Sequence, residues 1–334
     1  MWSWFGFPDG NGADLIAKLR ELCSGSTALI LSHPDSERQR GCHAPDAVDR
    51  PGILGDLWES SRHETRRMSR LWMVNRGSST RGEVSPMAGR LNDKVAVVTG
   101  ASSGIGEATV RALSAEGAAV VAGARRKERL DGLVEEAMTR DGGGVIAVEC
   151  DVTDEQQAHA LVDRAIEEFG RIDILVNNAG VMLLSKVEKG LSDEWRRMFD
   201  VNVLGLLYAT DAAVGAMKRQ GSGHIVNVSS VAGRKTRPTG GVYSGTKFAV
   251  NAISEALRQE LLEDGIRITM VEPGAVATEL TDHITDEEVR EGLKQRSIEP
   301  LQSEDIANAI AYAVGQPQRV SINEILIRPT QQTN

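Results

Sequence analysis

From Leu91 onward, short runs of β-branched and apolar residues alternate with amphipathic segments, and this alternation restricts the fold more than any other feature. The predicted strands are VAVVT (95–99), AAVVAGA (118–124), GVIAVE (144–149), IDILVN (172–177), HIVNVS (224–229), IRITMVE (266–272) and INEILI (322–327). Between them lie amphipathic segments that predict helices, such as 155–169 and 193–217. Near-continuous apolar strands separated by helices are typical of a parallel sheet covered on both faces. Because crossovers between parallel strands are right-handed, we predict an α/β fold, a single Rossmann-type doubly wound parallel sheet of seven strands.

Residues 1–89 lack this pattern, because Pro, Gly, Ser and Arg interrupt almost every candidate element. We therefore expect a poorly structured N-terminal extension over 1–89 and one Rossmann domain over 90–334. One interpretation of the extension is that the natural start lies near Met87. Another is a small partner-binding module, since exposed tryptophans need an explanation. Four of the five tryptophans lie in this stretch: Trp2, Trp4, Trp58 and Trp72.

Composition excludes several classes of protein. The formal net charge is −9 and the patterned part of the chain has no basic stripe, so we expect no nucleic-acid partner. No apolar run is long enough to span a membrane, so we expect no membrane-spanning segment. Three cysteines without a CxxC pair disfavour a disulfide framework and suggest a reducing cytoplasm. No His, Cys or carboxylate set has metal-ligand spacing, so no metal is predicted.

A glycine-rich turn follows the first predicted strand and opens a helix, with the sequence TGASSGIG over 99–106. In that position glycines let the backbone approach a pyrophosphate, and the helix N-terminus offers N–H donors to it. The sequence therefore predicts a dinucleotide site at this turn.

The end of the second predicted strand indicates which dinucleotide. NAD sites carry an acid about 20 residues beyond the glycine turn, whereas here the window over 120–126 has no acid and ends in Arg125 and Arg126. Guanidinium groups pair with a 2′-phosphate, so NADP(H) is favoured. The alternative is that both arginines only solvate the start of the next helix.

Tyr243 and Lys247 lie four residues apart at the start of an amphipathic helix, so they share one helical face. A phenol is a poor base at neutral pH, but a nearby ammonium favours phenolate and makes the tyrosine a usable general acid/base. Ser230, at the end of the adjacent strand, can hold a substrate oxygen. Asn202 lies on an apolar helical stripe, where it is either a packing polar group or part of a site.

Together these motifs resemble the short-chain dehydrogenase/reductase family in its compact one-domain form, over residues 91 to about 329. The matching pieces, in the family's order, are TGASSGIG (99–106), CDV (150–152), NNAG (177–180), VNVLG (201–205), IVNVSS (225–230), YSGTK (243–247) and PGAVAT (273–278). The resemblance implies Tyr243 as acid/base, with Lys247 binding the nicotinamide ribose and lowering the tyrosine pKa. It also implies that Ser230 binds the substrate oxygen and that Asn202 holds a relay water.

The resemblance also assigns the cofactor residues. It implies that five sets of residues bind successive parts of NADP(H). The pyrophosphate is bound by Gly100, Ser102, Ser103, Gly104, Ile105 and Gly106, and the 2′-phosphate by Arg125 and Arg126. The adenine is flanked by Asp151 and Val152, the ribose side is lined by Asn178, Ala179 and Gly180, and the nicotinamide carboxamide is held by Pro273, Gly274, Val276 and Thr278, with Tyr243 and Lys247 on the nicotinamide ribose.

Within the family, RKERL (126–130) and SINEILIRPTQQ (321–332) resemble dehydrogenases of serine and related 3-hydroxy acids. The expected reaction is NADP(H)-dependent alcohol/carbonyl interconversion on a small polar 3-hydroxy acid or a related hydroxy, keto or aldehyde compound. The alternatives are a sugar, steroid or acyl-thioester reductase, or a non-catalytic NADP-binding regulatory protein. The resemblance further implies a homo-oligomer, a tetramer or a dimer.

Overall fold

The computed structural model describes residues 89–294 and 298–333. The extension predicted over 1–89 therefore lies outside the described residues, apart from Gly89. Seven strands form one parallel sheet in the order β3-β2-β1-β4-β5-β6-β7. They are β1 Val95–Thr99, β2 Ala119–Ala124, β3 Val145–Glu149, β4 Ile174–Asn177, β5 Gly223–Val228, β6 Ile266–Pro273 and β7 Glu324–Ile327. The predicted fold is confirmed.

Eight α-helices of the described chain connect and cover these strands. They are α1 Gly104–Ala115, α2 Lys127–Met138, α3 Glu155–Phe169, α4 Ser192–Phe199, α5 Gly205–Gln220, α6 Gly241–Glu260, α7 Glu287–Lys294 and α8 Ser303–Val314. The bounds of α3 follow from its ends, because Asp154 accepts a hydrogen bond from the backbone of Gln157 and Gly170 adopts φ 75°. None of the described helices combines the length and apolar character needed to cross a bilayer.

Each face of the sheet is covered by its own apolar layer. Residues of α1, α2 and α8 pack on one face, and residues of α3 and α5 pack on the other. Strands β1 and β2 are buried along their whole length, as expected for the centre of a doubly wound sheet. The edge strand β7 departs from the prediction of continuous burial, because its residues alternate between exposed and half-buried.

The order of the strands reverses between β1 and β4. Strand β1 pairs with β2 on one side and with β4 on the other. The chain therefore builds the sheet outward from β1 to β3 towards one edge, and from β4 to β7 towards the other edge. In open α/β sheets, ligands bind at the carboxyl ends of the strands beside such a switch point. The fold therefore predicts the location of a site before any side chain is considered.

Candidate active site

A cleft of about 1190 Å³ opens at the carboxyl ends of the strands. Its volume exceeds the roughly 300–1,000 Å³ of ordinary small-molecule sites, so it has room for a dinucleotide and a substrate together. It is lined by segments that follow each of the strands β1 to β6. Nineteen of the twenty-one site residues predicted from the sequence line this cleft; the exceptions are Gly106 and Asn202.

The glycine turn has the geometry that a pyrophosphate site requires. Gly100 and Gly104 have φ values of 65° and 56°, which favour glycine. A Cβ on Gly100 would lie 2.7 Å from the Cα of Ala179. A Cβ on Gly106 would overlap the Gly100 carbonyl and the Asn178 amide, so Gly106 shapes the turn from behind instead of lining the cleft. A turn whose glycines leave the backbone open to close approach fits a phosphate-bearing cofactor.

Asn178 holds the glycine turn against the end of β4. Its Nδ2 donates to the carbonyl oxygens of Thr99 and Gly100, at 3.0 and 3.2 Å. In return, the backbone N–H groups of Asn178 and Ala179 both donate to Thr99 Oγ1 at 3.1 Å. The two loops on either side of the switch point are thereby fixed to each other.

The two arginines after β2 differ in their surroundings. Arg125 is exposed at the wall of the cleft. Arg126 turns back to the glycine turn, where its Nε donates to Ser102 Oγ at 3.1 Å and a terminal nitrogen donates to Ser103 Oγ at 2.7 Å. Both cations therefore stand where the adenosine ribose of a dinucleotide lies in doubly wound folds.

Tyr243 and Lys247 occupy successive turns of α6 and are both buried, at 7% and 6% exposure. The Lys247 Nζ donates to the carbonyl oxygen of Val228 at 2.9 Å and lies 5.9 Å from the centroid of the Tyr243 ring. Burial lowers the pKa of Lys247 to about 8. The lysine is therefore held at the end of β5, beside the tyrosine.

The expectation that a neighbouring ammonium lowers the Tyr243 pKa is wrong for this structure. Burial raises the pKa of Tyr243, and it outweighs a hydrogen bond with Ser230 and the charge of Arg237, which both lower it. The same burial reduces the hold of Lys247 on its own proton. Without bound nucleotide the Tyr243 phenol is therefore protonated at neutral pH.

Asn202 lies in a π-helical turn, Asp200–Leu204, which divides the long helix predicted over 193–217 into α4 and α5. Its Oδ1 accepts from the Val181 N–H at 2.8 Å, and its Nδ2 donates to Val181 O at 2.9 Å and to Thr246 Oγ1 at 3.0 Å. Both amide hydrogens are used, so a water could meet only the second lone pair of Oδ1. The main observed effect of Asn202 is to fix the loop after β4 to α6.

The sequence motifs did not predict a polar network that joins β6, α6 and the end of β5. Glu272 is wholly buried in β6, where it accepts from Arg234 Nε at 2.6 Å and from Asn251 Nδ2 at 2.8 Å. Asn251 Oδ1 in turn accepts from Ser229 Oγ at 2.5 Å. A signal existed, because an acid inside an apolar strand must be paired, and Asn251 lies one turn beyond Lys247 on the same helical face.

The substrate end of the cleft is bounded by the loop after β5 and by the segment after β6. Lys235, Arg237 and Arg290 line it, together with the acid Asp282. Asp286 is buried and forms an ion pair with Lys189, whose Nζ lies 2.6 Å from Oδ2. Among the described residues, no group of three or more His, Cys, Asp or Glu is arranged to hold a metal ion.

The family model for short chain dehydrogenases matches residues 94–289, more than half of the chain. The chain belongs to the short-chain dehydrogenase family. An oxidoreductase of Staphylococcus saprophyticus is 46% identical over 245 residues, which cover 73% of this chain and 98% of that relative. The family therefore identifies this chain as an oxidoreductase that uses a nicotinamide cofactor.

Two further comparisons extend this result. The glycine betaine reductase ATRR of Emericella nidulans is 44% identical over 285 residues, covering 84% of this chain but only 22% of that larger protein. Because residues 89–334 make up about 74% of the sequence, that similarity reaches into the residues before Gly89. The closed form of serine dehydrogenase complexed with NADP+ superposes with a TM-score of 0.66 at 33% identity, covering 72% of this chain and 96% of that one.

Proposed function

We propose that this short-chain dehydrogenase uses NADP(H) to interconvert an alcohol and a carbonyl, with a small polar 3-hydroxy acid or a related compound as substrate. The observation that carries the proposal is the buried group of Ser230, Tyr243 and Lys247 at the end of β5, in the same cleft as the glycine turn. Acid/base groups and a dinucleotide cradle in one cleft are the requirements of hydride transfer to or from a carbon–oxygen bond.

Each polar group of the site has a distinct task in this proposal. Ser230 Oγ donates to the substrate oxygen, and the Tyr243 phenol delivers or removes the proton on that oxygen. Lys247 Nζ binds the ribose hydroxyls beside the nicotinamide. The bound nicotinamide supplies or accepts the hydride. Asn202 keeps α6 and the loop after β4 in register, so that the phenol and the ammonium stay in place.

The preference for NADP rests on charge. The window over 120–126 carries no acid that could bind a ribose 2′-hydroxyl, and the side chains of Arg125 and Arg126 line the cleft there. Arginine binds phosphate in a fork geometry and does not lose its charge. The serine dehydrogenase with a similar structure carries NADP+, which agrees with this assignment.

The preference for an acid also rests on charge. Lys235, Arg237 and Arg290 outnumber Asp282 at the substrate end, so the local field favours a carboxylate. A quaternary ammonium group, such as that of glycine betaine, is usually recognised by several aromatic faces. Among the described residues that line the cleft, Tyr243 is the one Phe, Tyr or Trp. The charges of the cleft thus support a 3-hydroxy acid over a betaine-like compound.

A substrate panel tests the proposal through the change in nicotinamide absorbance. Serine, 3-hydroxybutyrate, its methyl ester, a neutral secondary alcohol, a hydroxysterol and a sugar are offered with NADP+, and betaine aldehyde, whose carbonyl can accept a hydride, is offered with NADPH. We expect kcat/KM to be highest for the acids and lower for the ester. Turnover of sterols or sugars alone would favour the other reductase classes. Inactivity throughout the panel, despite nucleotide binding, would favour a regulatory protein.

Tyr243→Phe tests the mechanism with the best substrate of that panel. The ring stays packed while the transferable proton is lost, so turnover should fall by about 10²–10⁴-fold and NADPH should still bind. Tyr312→Phe is the matched control, because Tyr312 lies on α8 with 54% exposure, outside the cleft. If Tyr243→Phe kept nearly full activity, Tyr243 could not be the acid/base.

A further inference from the structure

Glu279 forms ion pairs with two arginines beside the glycine turn. It is the first residue of a short 3₁₀ helix, Glu279–Thr281, and directly follows the proposed cofactor residue Thr278. Its Oε2 lies 2.8 Å from a terminal nitrogen of Arg126, and its Oε1 lies 2.6 Å from Arg129 in the first turn of α2. A segment that continues to the substrate end is thereby tied to the end of β2.

The carboxylate takes donors that a phosphate would use. Arg126 already donates to Ser102 and Ser103, and Glu279 accepts from the other terminal nitrogen of its guanidinium. Carboxylates and phosphates are bound by the same fork of guanidinium N–H groups. The two arginines hold the pKa of Glu279 down to about 2, so it is fully charged at neutral pH.

We propose that Glu279 is an internal competitor of the cofactor's 2′-phosphate, a residue that sets the discrimination between NADP and NAD by holding Arg126 and Arg129. This inference rests on the proposed function, since it assumes that a dinucleotide binds with its adenosine ribose beside Arg126. NADP must displace the Glu279 carboxylate, and the dianionic phosphate can do so because it carries the larger charge. NAD has no group that claims these guanidinium donors, so the ion pairs of Glu279 persist when it binds.

The position of Glu279 gives the displacement a second consequence. The carbonyl oxygen of Glu279 accepts from the Asp282 N–H at 3.0 Å, so a shift of Glu279 disturbs the first turn of the segment that leads to the substrate end. Leu280, Thr281 and Asp282 all line the cleft. Binding of NADP, but not of NAD, should therefore loosen these backbone amides.

The test measures the Kd of NADP+ and NAD+ by calorimetry with the full chain and with Glu279→Gln. Glutamine keeps the size of the side chain but removes the charge that competes with phosphate. We expect the Kd of NADP+ to fall about 10-fold, the order expected when two half-exposed ion pairs no longer have to be broken. The Kd of NAD+ should change less than about 2-fold.

Glu128→Gln is the matched control, because Glu128 is an exposed acid between the same two arginines in sequence and its loss changes the net charge equally. It should leave both Kd values within about 2-fold. An unchanged or raised Kd of NADP+ in Glu279→Gln, or equal tightening by both variants, would overturn the proposed competition. Weaker binding of both cofactors would show instead that Glu279 clamps the nucleotide.

Hydrogen exchange on the unaltered protein gives an independent readout. Amides of residues 280–282 should exchange faster in the complex with saturating NADP+ than in the complex with saturating NAD+. Identical exchange in the two complexes would contradict the displacement. If the unaltered protein bound neither nucleotide, the proposed function would fail as well. If it bound NADP+ and turned over substrate while Glu279→Gln behaved like the unaltered chain, the inference about Glu279 alone would fail.

Discussion

The buried side chain of Lys247 is expected to lower the folding stability of the protein when no nucleotide is bound. Its ammonium is buried at 6% exposure and its pKa falls from 10.5 to about 8, so the folded state disfavours the charged form. A shift of this size costs about 3 kcal/mol of folding free energy at neutral pH, at about 1.4 kcal/mol per pKa unit. Replacement by methionine, which has a similar length and no charge, should remove that cost.

The replacement has one opposing effect. Lys247 Nζ is a donor to the carbonyl oxygen of Val228, and loss of that hydrogen bond costs about 1 kcal/mol. Lys247→Met should therefore stabilise the protein without nucleotide by about 2 kcal/mol at pH 7, while turnover is lost. For a domain of this size, that corresponds to a rise of roughly 4–8 °C in Tm.

The pH dependence gives the sign of the effect. Below pH 8 the lysine is charged in both the folded and unfolded states, so the full cost is present. Between pH 8 and about 10.5 the folded state has lost the proton while the unfolded chain retains it, so the cost shrinks as the pH rises. The advantage of Lys247→Met should accordingly be largest at pH 7 and should reverse near pH 10.5, where the lost hydrogen bond outweighs the small cost that remains.

Thermal unfolding followed by calorimetry, at a series of pH values and without nucleotide, measures this difference. Lys127→Met serves as the control, because Lys127 is exposed and forms its ion pair with Asp131 on the surface of α2. Its substitution should leave the stability nearly unchanged, because surface ion pairs contribute little. A Lys247→Met protein that is less stable than the unaltered chain at pH 7, or whose advantage does not vary with pH, would refute the reasoning.

Two further predictions concern the cofactor and the chain before the domain. Arg125→Asp should raise the KM for NADP+ far more than that for NAD+, because a carboxylate repels the 2′-phosphate; equal effects on both would place the phosphate site elsewhere. A chain that starts at Met87 should fold and turn over like the full chain, since β1–β7 and the cleft lie within residues 89–333 and the staphylococcal relative is covered to 98% by 73% of this chain. Loss of soluble protein on this truncation would show that the residues before Met87 pack on the domain.

The positions of the strands could be predicted from the sequence because they depend on local patterns. Strand β1 was predicted at its observed bounds, and so was helix α3, whose cap Asp154 and terminal Gly170 are visible in the sequence. The long helix over 193–217 was predicted as continuous, and the structure interrupts it with the π turn that holds Asn202. The apolar residues at 199, 206 and 209 keep a helical spacing across this turn, so periodicity gave no sign of it.

Some properties of the candidate site could likewise be predicted from the sequence, and others could not. Tyr243 and Lys247 could be paired from sequence, because residues four apart on a helix are neighbours wherever that helix lies. The direction of the Tyr243 pKa could not, because it depends on how much solvent the fold removes from the phenol. The ion pairs of Glu279 could not be predicted either, since Glu279 and Arg126 are separated by 153 residues and meet only through the fold.

The sequence by itself determined the fold class, the family and the residue types of the site, because short motifs and strand patterns act over a few residues. Assembly into a homo-oligomer and residence in the cytoplasm remain predictions from that level. Tertiary structure decided the properties that arise from residues distant in sequence. These are the buried Glu272–Asn251 network, the raised pKa of Tyr243 and the hold of Glu279 on Arg126. Burial and charge pairing depend on every element packed around a group, so a short sequence pattern cannot predict them.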